Sequence, residues 1–254
     1  MVRILPFCEQ MALYEQLDWK GLLVGPVHDS PITKSIDGSV TAPARQMQVP
    51  YTICPDDVPK NDINWAQTSY TGCIGAQRAT SADDALCGDW NIPDVTYDAA
   101  RGDANHSGTD DPSRVSGPFG RYLYRTGNFG TVRDGTANTF FAGEQIGECT
   151  PYSGGWWLND QNLVMGRTSV PLNTMTTCAK TEAEATRKRY YAPKCYNTNQ
   201  HGFSWGFRSN HPAGANFLMG DASVQFINSS IRYPIYFAYG GKNDGLPTTD
   251  DTRE

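Results

Sequence analysis

Ala215-Asn216-Phe217-Leu218-Met219-Gly220, then Asp221-Ala222, then Ser223-Val224-Gln225-Phe226-Ile227 is the stretch whose reading decides the fold. Two apolar, strand-forming runs flank a short polar pair, the pattern of a β-hairpin with a tight turn. A two-residue type I′ turn needs positive φ at both central positions, and alanine is strained there where glycine is not. The hairpin is therefore either strained at Ala222 or built on another turn. In both forms it places antiparallel sheet near the C-terminal end.

Working upstream, residues 121–126, 138–146 and 155–159 read as further strands bounded by turn residues, and Asp134-Gly135 is a strong turn signal. Residues 4–19 read as an amphipathic helix. Ile4, Phe7, Cys8, Met11, Tyr14 and Leu17 recur at three and four, with Pro6 in the first turn and Gly21 as the stop. A second helix is predicted over 179–191, where Glu184 faces Arg187 and Lys188. Residues 22–66 are irregular and proline-rich. The long polar stretches 67–120 and 160–210 read as inserted loops.

Composition removes several classes. The 254 residues carry a formal charge of −6, and no basic stripe suggests nucleic-acid binding. With 39% hydrophobic and 19% charged residues, the chain is neither a disordered polyelectrolyte nor a coiled coil. Its apolar runs are too short to span a membrane as a helix. Met1-Val2-Arg3 leads straight into the amphipathic segment without an apolar signal region. Either the protein stays inside the cell or the chain starts after a missing leader.

The seven cysteines are Cys8, Cys54, Cys73, Cys87, Cys149, Cys178 and Cys195. They include no C-x-x-C pair, which argues against a zinc ribbon or thioredoxin-type site. They suit an oxidising compartment with bridges, or else seven buried thiols. Nearness along the chain points to one bridge among Cys54, Cys73 and Cys87, and a second joining Cys178 to Cys195.

Four segments in order resemble a large prepilin-like bacterial family abundant in planctomycetes, of unknown function and once labelled solute-binding. They are Ile4-Leu-Pro-Phe-Cys-Glu-Gln-Met-Ala-Leu-Tyr14; Tyr51-Thr-Ile-Cys-Pro-Asp-Asp57 with Ser69-Tyr-Thr-Gly72; Arg133-Asp-Gly-Thr-Ala-Asn-Thr-Phe-Phe-Ala-Gly-Glu144; and His211-Pro-Ala-Gly-Ala-Asn216 through Ile227. The last resembles the family's His-x9-Asp-Gly signature, with Ala222 in place of its glycine. The resemblance implies that the leader and helix stem are absent from this chain. It also implies structural roles for Asp134, Gly135, Asn138, Glu144, His211 and Asp221. His211, held extended by Pro212, is expected to pin its loop to the hairpin by bonding Asp221.

Candidate chemistry is sparse. Asp103, Asn105, Ser107, Thr109 and Asp111 place oxygen donors at alternate positions around Gly108, like the first half of a calcium loop. The twelfth position is Arg114, so the closing carboxylate is missing, and the alternative is a solvated loop capping its own backbone. Asp244 with Asp250 and Asp251 forms a second acidic cluster near the C-terminus. Cys195, His201 and His211 match no known ligand spacing. Tyr152, Trp156 and Trp157 would stack on a sugar, with Glu144, Glu148 and Asp160 beside it, or else fill the core. No G-x-S-x-G elbow or protease-type cysteine is present.

The expected architecture is α+β and pilin-like: a single domain over 1–254, its N-terminal helix packed on an antiparallel sheet with long inserted loops. The expected function is non-enzymatic, an extracellular or cell-surface pseudopilin-like subunit making homo-oligomeric or other surface-protein contacts, with calcium as the only cofactor suggested. The alternative is an extracellular module binding carbohydrate or another solute through Tyr152, Trp156 and Trp157.

Overall fold

The computed structural model describes residues 2–15, 47–58, 66–77, 111–120, 128–149, 165–175, 178–179, 181, 183–184, 204–246 and 248. Five strands, β1 (Tyr70–Gly75), β2 (Phe140–Glu144), β3 (Met165–Arg167), β4 (Gly214–Met219) and β5 (Val224–Asn228), form one sheet in the order β3-β1-β2-β4-β5. β1–β2, β2–β4 and β4–β5 run antiparallel, while β3 lies parallel to β1. The fold is α+β, and the sheet is mixed where a purely antiparallel one was expected. β1 and β3 fall inside the stretches 67–120 and 160–210 read as insertions, so both stretches carry sheet.

The hairpin forms where its sequence places it, on a turn with one positive φ instead of two. Met219 N–H donates to Ser223 O at 2.8 Å and Ala222 N–H to Met219 O at 3.1 Å. This closes a three-residue loop with Ala222 alone left-handed, at φ 70°. β4 alternates: Ala215, Phe217 and Met219 point into the core while Leu218 faces out.

The helix on this core comes from the C-terminal side. α2 (Tyr233–Gly240) has Pro234 in its first turn and buries Tyr236, Phe237 and Ala238; α1, the short helix Met11–Glu15, lies far upstream. Tyr236 joins Phe140, Phe207, Phe217 and Met219 in one cluster. The Phe140 and Phe217 rings stack at 4.0 Å between centroids. Gly143 lets the Phe207 and Phe217 rings approach the sheet, since a Cβ there would sit 2.6 Å from Phe217 and 2.7 Å from Phe207.

The N-terminal segment departs from the helix expected over 4–19. A 3-10 helix, Val2–Cys8, ends at Glu9, whose φ is 58°, and α1 follows. Three residues per turn shift the buried phase. Leu5 and Leu13 are buried, while Ile4, Phe7 and Met11 of the anticipated core stripe are exposed.

The bridge also differs from the expected pairing. Cys178 is joined to Cys149, 29 residues earlier, which excludes Cys178–Cys195. Cys54 and Cys73 are free thiols, so the local bridge among Cys54, Cys73 and Cys87 does not form. The strands expected at 121–126 and 155–159 lie outside the described residues, as do Cys87, Cys195, His201 and most of 179–191.

Candidate functional site

Three separate pieces of chain meet at one end of β2. The first is Cys54-Pro55-Asp56-Asp57, a turn in which Asp57 N–H donates to Cys54 O at 2.9 Å. Proline at its second position presets the φ such a turn needs. Ser69 Oγ–H donates to Asp57 Oδ2 at 2.7 Å and Asn210 Nδ2 to Asp56 O at 3.1 Å. The turn is thereby tied to the start of β1 and to the loop before β4.

The second piece is Glu144, the last residue of β2, paired across the ladder with Tyr70 of β1. It is 3% exposed. A buried carboxylate needs donors. Asn216 of β4 supplies two, its backbone N–H to Oε2 at 2.9 Å and its Nδ2 to Oε1 at 3.1 Å. The third piece is His211. Its Nδ1 lies 2.6 Å from Asp56 Oδ2 and its Nε2 3.2 Å from Glu144 Oε1. Cys54 Sγ completes the group, 3.4 Å from His211 Nε2 and 4.0 Å from Glu144 Oε1.

The electrostatics keep the sulfur protonated when the group is alone. Burial raises the Cys54 thiol above its usual range, and the negative charges of Glu144, Asp56 and Asp57 add to the rise against an opposing backbone hydrogen bond at Asp56. Burial likewise raises the Tyr70 phenol, whose side chain hydrogen-bonds Cys54. A recess of about 10 Å³, lined by Cys54, Asp57, Ser69, Glu144 and Asn210 among others, adjoins the group. That is room for about one water molecule.

Two chemistries suit these atoms. Cys54, His211 and Asp56 are ordered like a nucleophile, its base and the base's orienting carboxylate. A reactive cysteine, however, has a lowered pKa in an electropositive setting and a space for substrate. Here the thiol is raised, a carboxylate faces it and the recess has room for only about one water. The second chemistry is cation binding by one sulfur, one nitrogen and one carboxylate oxygen, all mutually within 4.8 Å.

The residues given structural roles by the family resemblance divide between two places. Glu144 and His211 meet here, whereas Asp134, Gly135, Asn138 and Asp221 lie at the other end of β2. The Asp134 carboxylate accepts the backbone N–H groups of Asp244 and Gly245 at 2.8 and 3.1 Å. Asn138 Nδ2 donates to Asp134 O, and Asp221 N–H donates to Thr136 O. His211 does not bond Asp221. It stands at the base of β4 and Asp221 at the tip, where the Asp221 carboxylate accepts Ser223 N–H and Oγ–H.

Of the calcium-like loop, Asp103, Asn105, Ser107 and Thr109 lie outside the described residues. Asp111 caps a local turn, accepting from Ser113 N–H and Oγ–H. Tyr152, Trp156 and Trp157 also lie outside. Sequence reasoning missed Asp56, Tyr70 and Asn216 as site residues and read Cys54 only as a disulfide candidate. Their signal was present: each sits in one of the segments that carried the family resemblance, beside Cys54, Glu144 or His211.

A second feature is the outer face of the hairpin. Val224 and Phe226 of β5 are 67% and 51% exposed, and Leu218 of β4 is 41% exposed. Leu218 pairs with Val224, and Asn216 with Phe226, so the three apolar side chains share one face. β5 ends the strand order, and among the described residues no strand pairs with its outer side.

A family model, SBP_bac_10, described as a protein of unknown function (DUF1559), matches residues 1–232. No curated protein and no solved structure matches the chain.

Proposed function

The chain belongs to this family of unknown function, and we propose that it is a non-enzymatic, pilin-like assembly subunit that works outside the cell or at its surface. The observation that carries this reading is the exposed apolar face Leu218, Val224 and Phe226 at an open sheet edge. Unpaired edges with apolar side chains are templates for strand addition. The proposed occupant is a second copy of the chain, because two β5 edges brought together about a two-fold axis, the commonest symmetry of homo-oligomers, present the same apolar surface to each other. The exposed N-terminal residues Ile4, Phe7 and Met11 add a second apolar contact for a neighbouring copy. The Cys149–Cys178 bridge supports an oxidising compartment.

Light scattering across a concentration series tests the reading. Wild-type protein is expected to associate, and Phe226→Arg with Val224→Lys is expected to hold it monomeric with unchanged circular dichroism. A wild-type protein that stays monomeric at high concentration overturns it.

A further inference from the structure

We propose that Cys54, Glu144 and His211 form a zinc site. The site does not depend on the assembly reading, because all its ligands come from one chain. A tetrahedral zinc ion has bonds of about 2.3 Å to sulfur and about 2.0–2.1 Å to nitrogen and oxygen, which set its ligand atoms about 3.3–3.6 Å apart. The separations here are 3.2 Å for Glu144 Oε1 to His211 Nε2, 3.4 Å for Cys54 Sγ to His211 Nε2, and 4.0 Å for Cys54 Sγ to Glu144 Oε1. The first two match within about 0.2 Å, and the third needs a closure of about half an ångström.

The surroundings match as well. A metal-bound histidine donates its other ring N–H to a carboxylate, which fixes the tautomer and aims the lone pair. Asp56 Oδ2 stands 2.6 Å from His211 Nδ1 in that position. Asn216 holds Glu144 from its own strand. The neighbouring recess has space for the water that completes a three-ligand site. Donor chemistry selects the ion: a thiolate with imidazole favours zinc over calcium or magnesium, which take oxygen. Binding removes the thiol proton, and the positive ion then offsets the carboxylates that otherwise oppose the thiolate.

The ion would join the 54–57 turn, the end of β2 and the loop before β4. It would hold together three segments far apart in sequence and keep its fourth position open to water.

The test is titration of chelator-treated, folded wild-type protein with zinc chloride, and separately with cobalt chloride. One zinc per chain and a thiolate-to-cobalt charge-transfer band with strong tetrahedral d–d absorption are expected. Asp56→Asn should weaken zinc by about 10–100-fold, as loss of a partner behind a ligand does. Cys54→Ser should weaken it by more than about 100-fold and abolish the charge-transfer band. Wild type binding no zinc, or cobalt binding without the thiolate band, overturns the proposal and leaves His211 as a structural link between two carboxylates. The wild-type measurements need no variant to fold. Rapid alkylation of Cys54 by iodoacetamide at neutral pH, unaffected by zinc, also overturns it and favours the nucleophile.

Discussion

Ala222 occupies the one position of the hairpin loop where glycine belongs. Its φ of 70° is left-handed, a conformation that costs a residue with a Cβ about 1–2 kcal/mol. The loop is still formed, because Gly220 N–H donates to Thr139 O and Asp221 N–H to Thr136 O, and the Asp221 carboxylate caps Ser223. Ala222→Gly is therefore expected to stabilise the protein by about 1 kcal/mol, the relief being offset in part by glycine's greater freedom when unfolded. Urea unfolding would read this as a higher midpoint at unchanged slope. Lys242 gives a prediction in pH. It is 7% exposed, and burial lowers it from 10.5 to about 8. Below pH 8 both states hold the proton and the folded state carries the full cost. Between about pH 8 and 10.5 the unfolded chain keeps a proton that the folded chain has released, so this contribution makes stability rise with pH. Cys73, raised by burial from 9.0 to about 12, acts oppositely above pH 9. Comparing wild type with Lys242→Met removes that common effect. Stability of wild type relative to the variant should increase by on the order of 2 kcal/mol between pH 7.5 and 10.5.

Among the elements, β2 bears the most. Its last residue supplies the carboxylate of the candidate site, its first packs on Tyr239, and Gly143 between them admits Phe207 and Phe217. Gly143→Ala puts a methyl group where the Phe207 and Phe217 rings already lie, and Phe217 is held by Phe140, Tyr236 and Phe207. Overpacking of this kind costs about 1–3 kcal/mol, so a fall in melting temperature with a preserved β-sheet spectrum is expected. The same packing explains what sequence could and could not reveal. The β4–β5 hairpin was legible because 215–227 alternates around a turn pair, and local pattern and tertiary burial agree. α2 was not, because Tyr-Pro-Ile-Tyr-Phe-Ala-Tyr-Gly is aromatic and β-branched, with little helix propensity. It is helical because Tyr236 and Phe237 are buried on the sheet. β1 was hidden by its two glycines, which weaken a strand signal. The N-terminal pattern looked like one helix, but Glu9 turns left-handed and divides it. The candidate site was legible only in fragments, since Cys54, Glu144 and His211 are brought together by sheet order, which no local window contains.

At the scale of the molecule, the crossing from β2 to β3 is closed covalently. Cys149 ends the 3-10 helix after β2, and Cys178 follows β3. Between them lies a 29-residue separation that includes the parallel strand, whose partner β1 comes from a distant segment. Closing such a loop lowers the entropy of the unfolded chain, and bridges of this span contribute about 2–4 kcal/mol. Cys149→Ser with Cys178→Ser should therefore lower the unfolding free energy by about that amount, measured in guanidinium chloride. Dithiothreitol should produce the same loss in wild type and no further loss in the double variant. That equality distinguishes loss of the bridge from loss of packing, since Cys149 is fully buried and its replacement alone could weaken the core. If reductant leaves wild-type stability unchanged, the two sulfurs are thiols, and the argument for an oxidising compartment loses its main structural support. The zinc site is separable from this outcome, because Cys54 takes no part in the bridge and its ligands lie outside the closed loop.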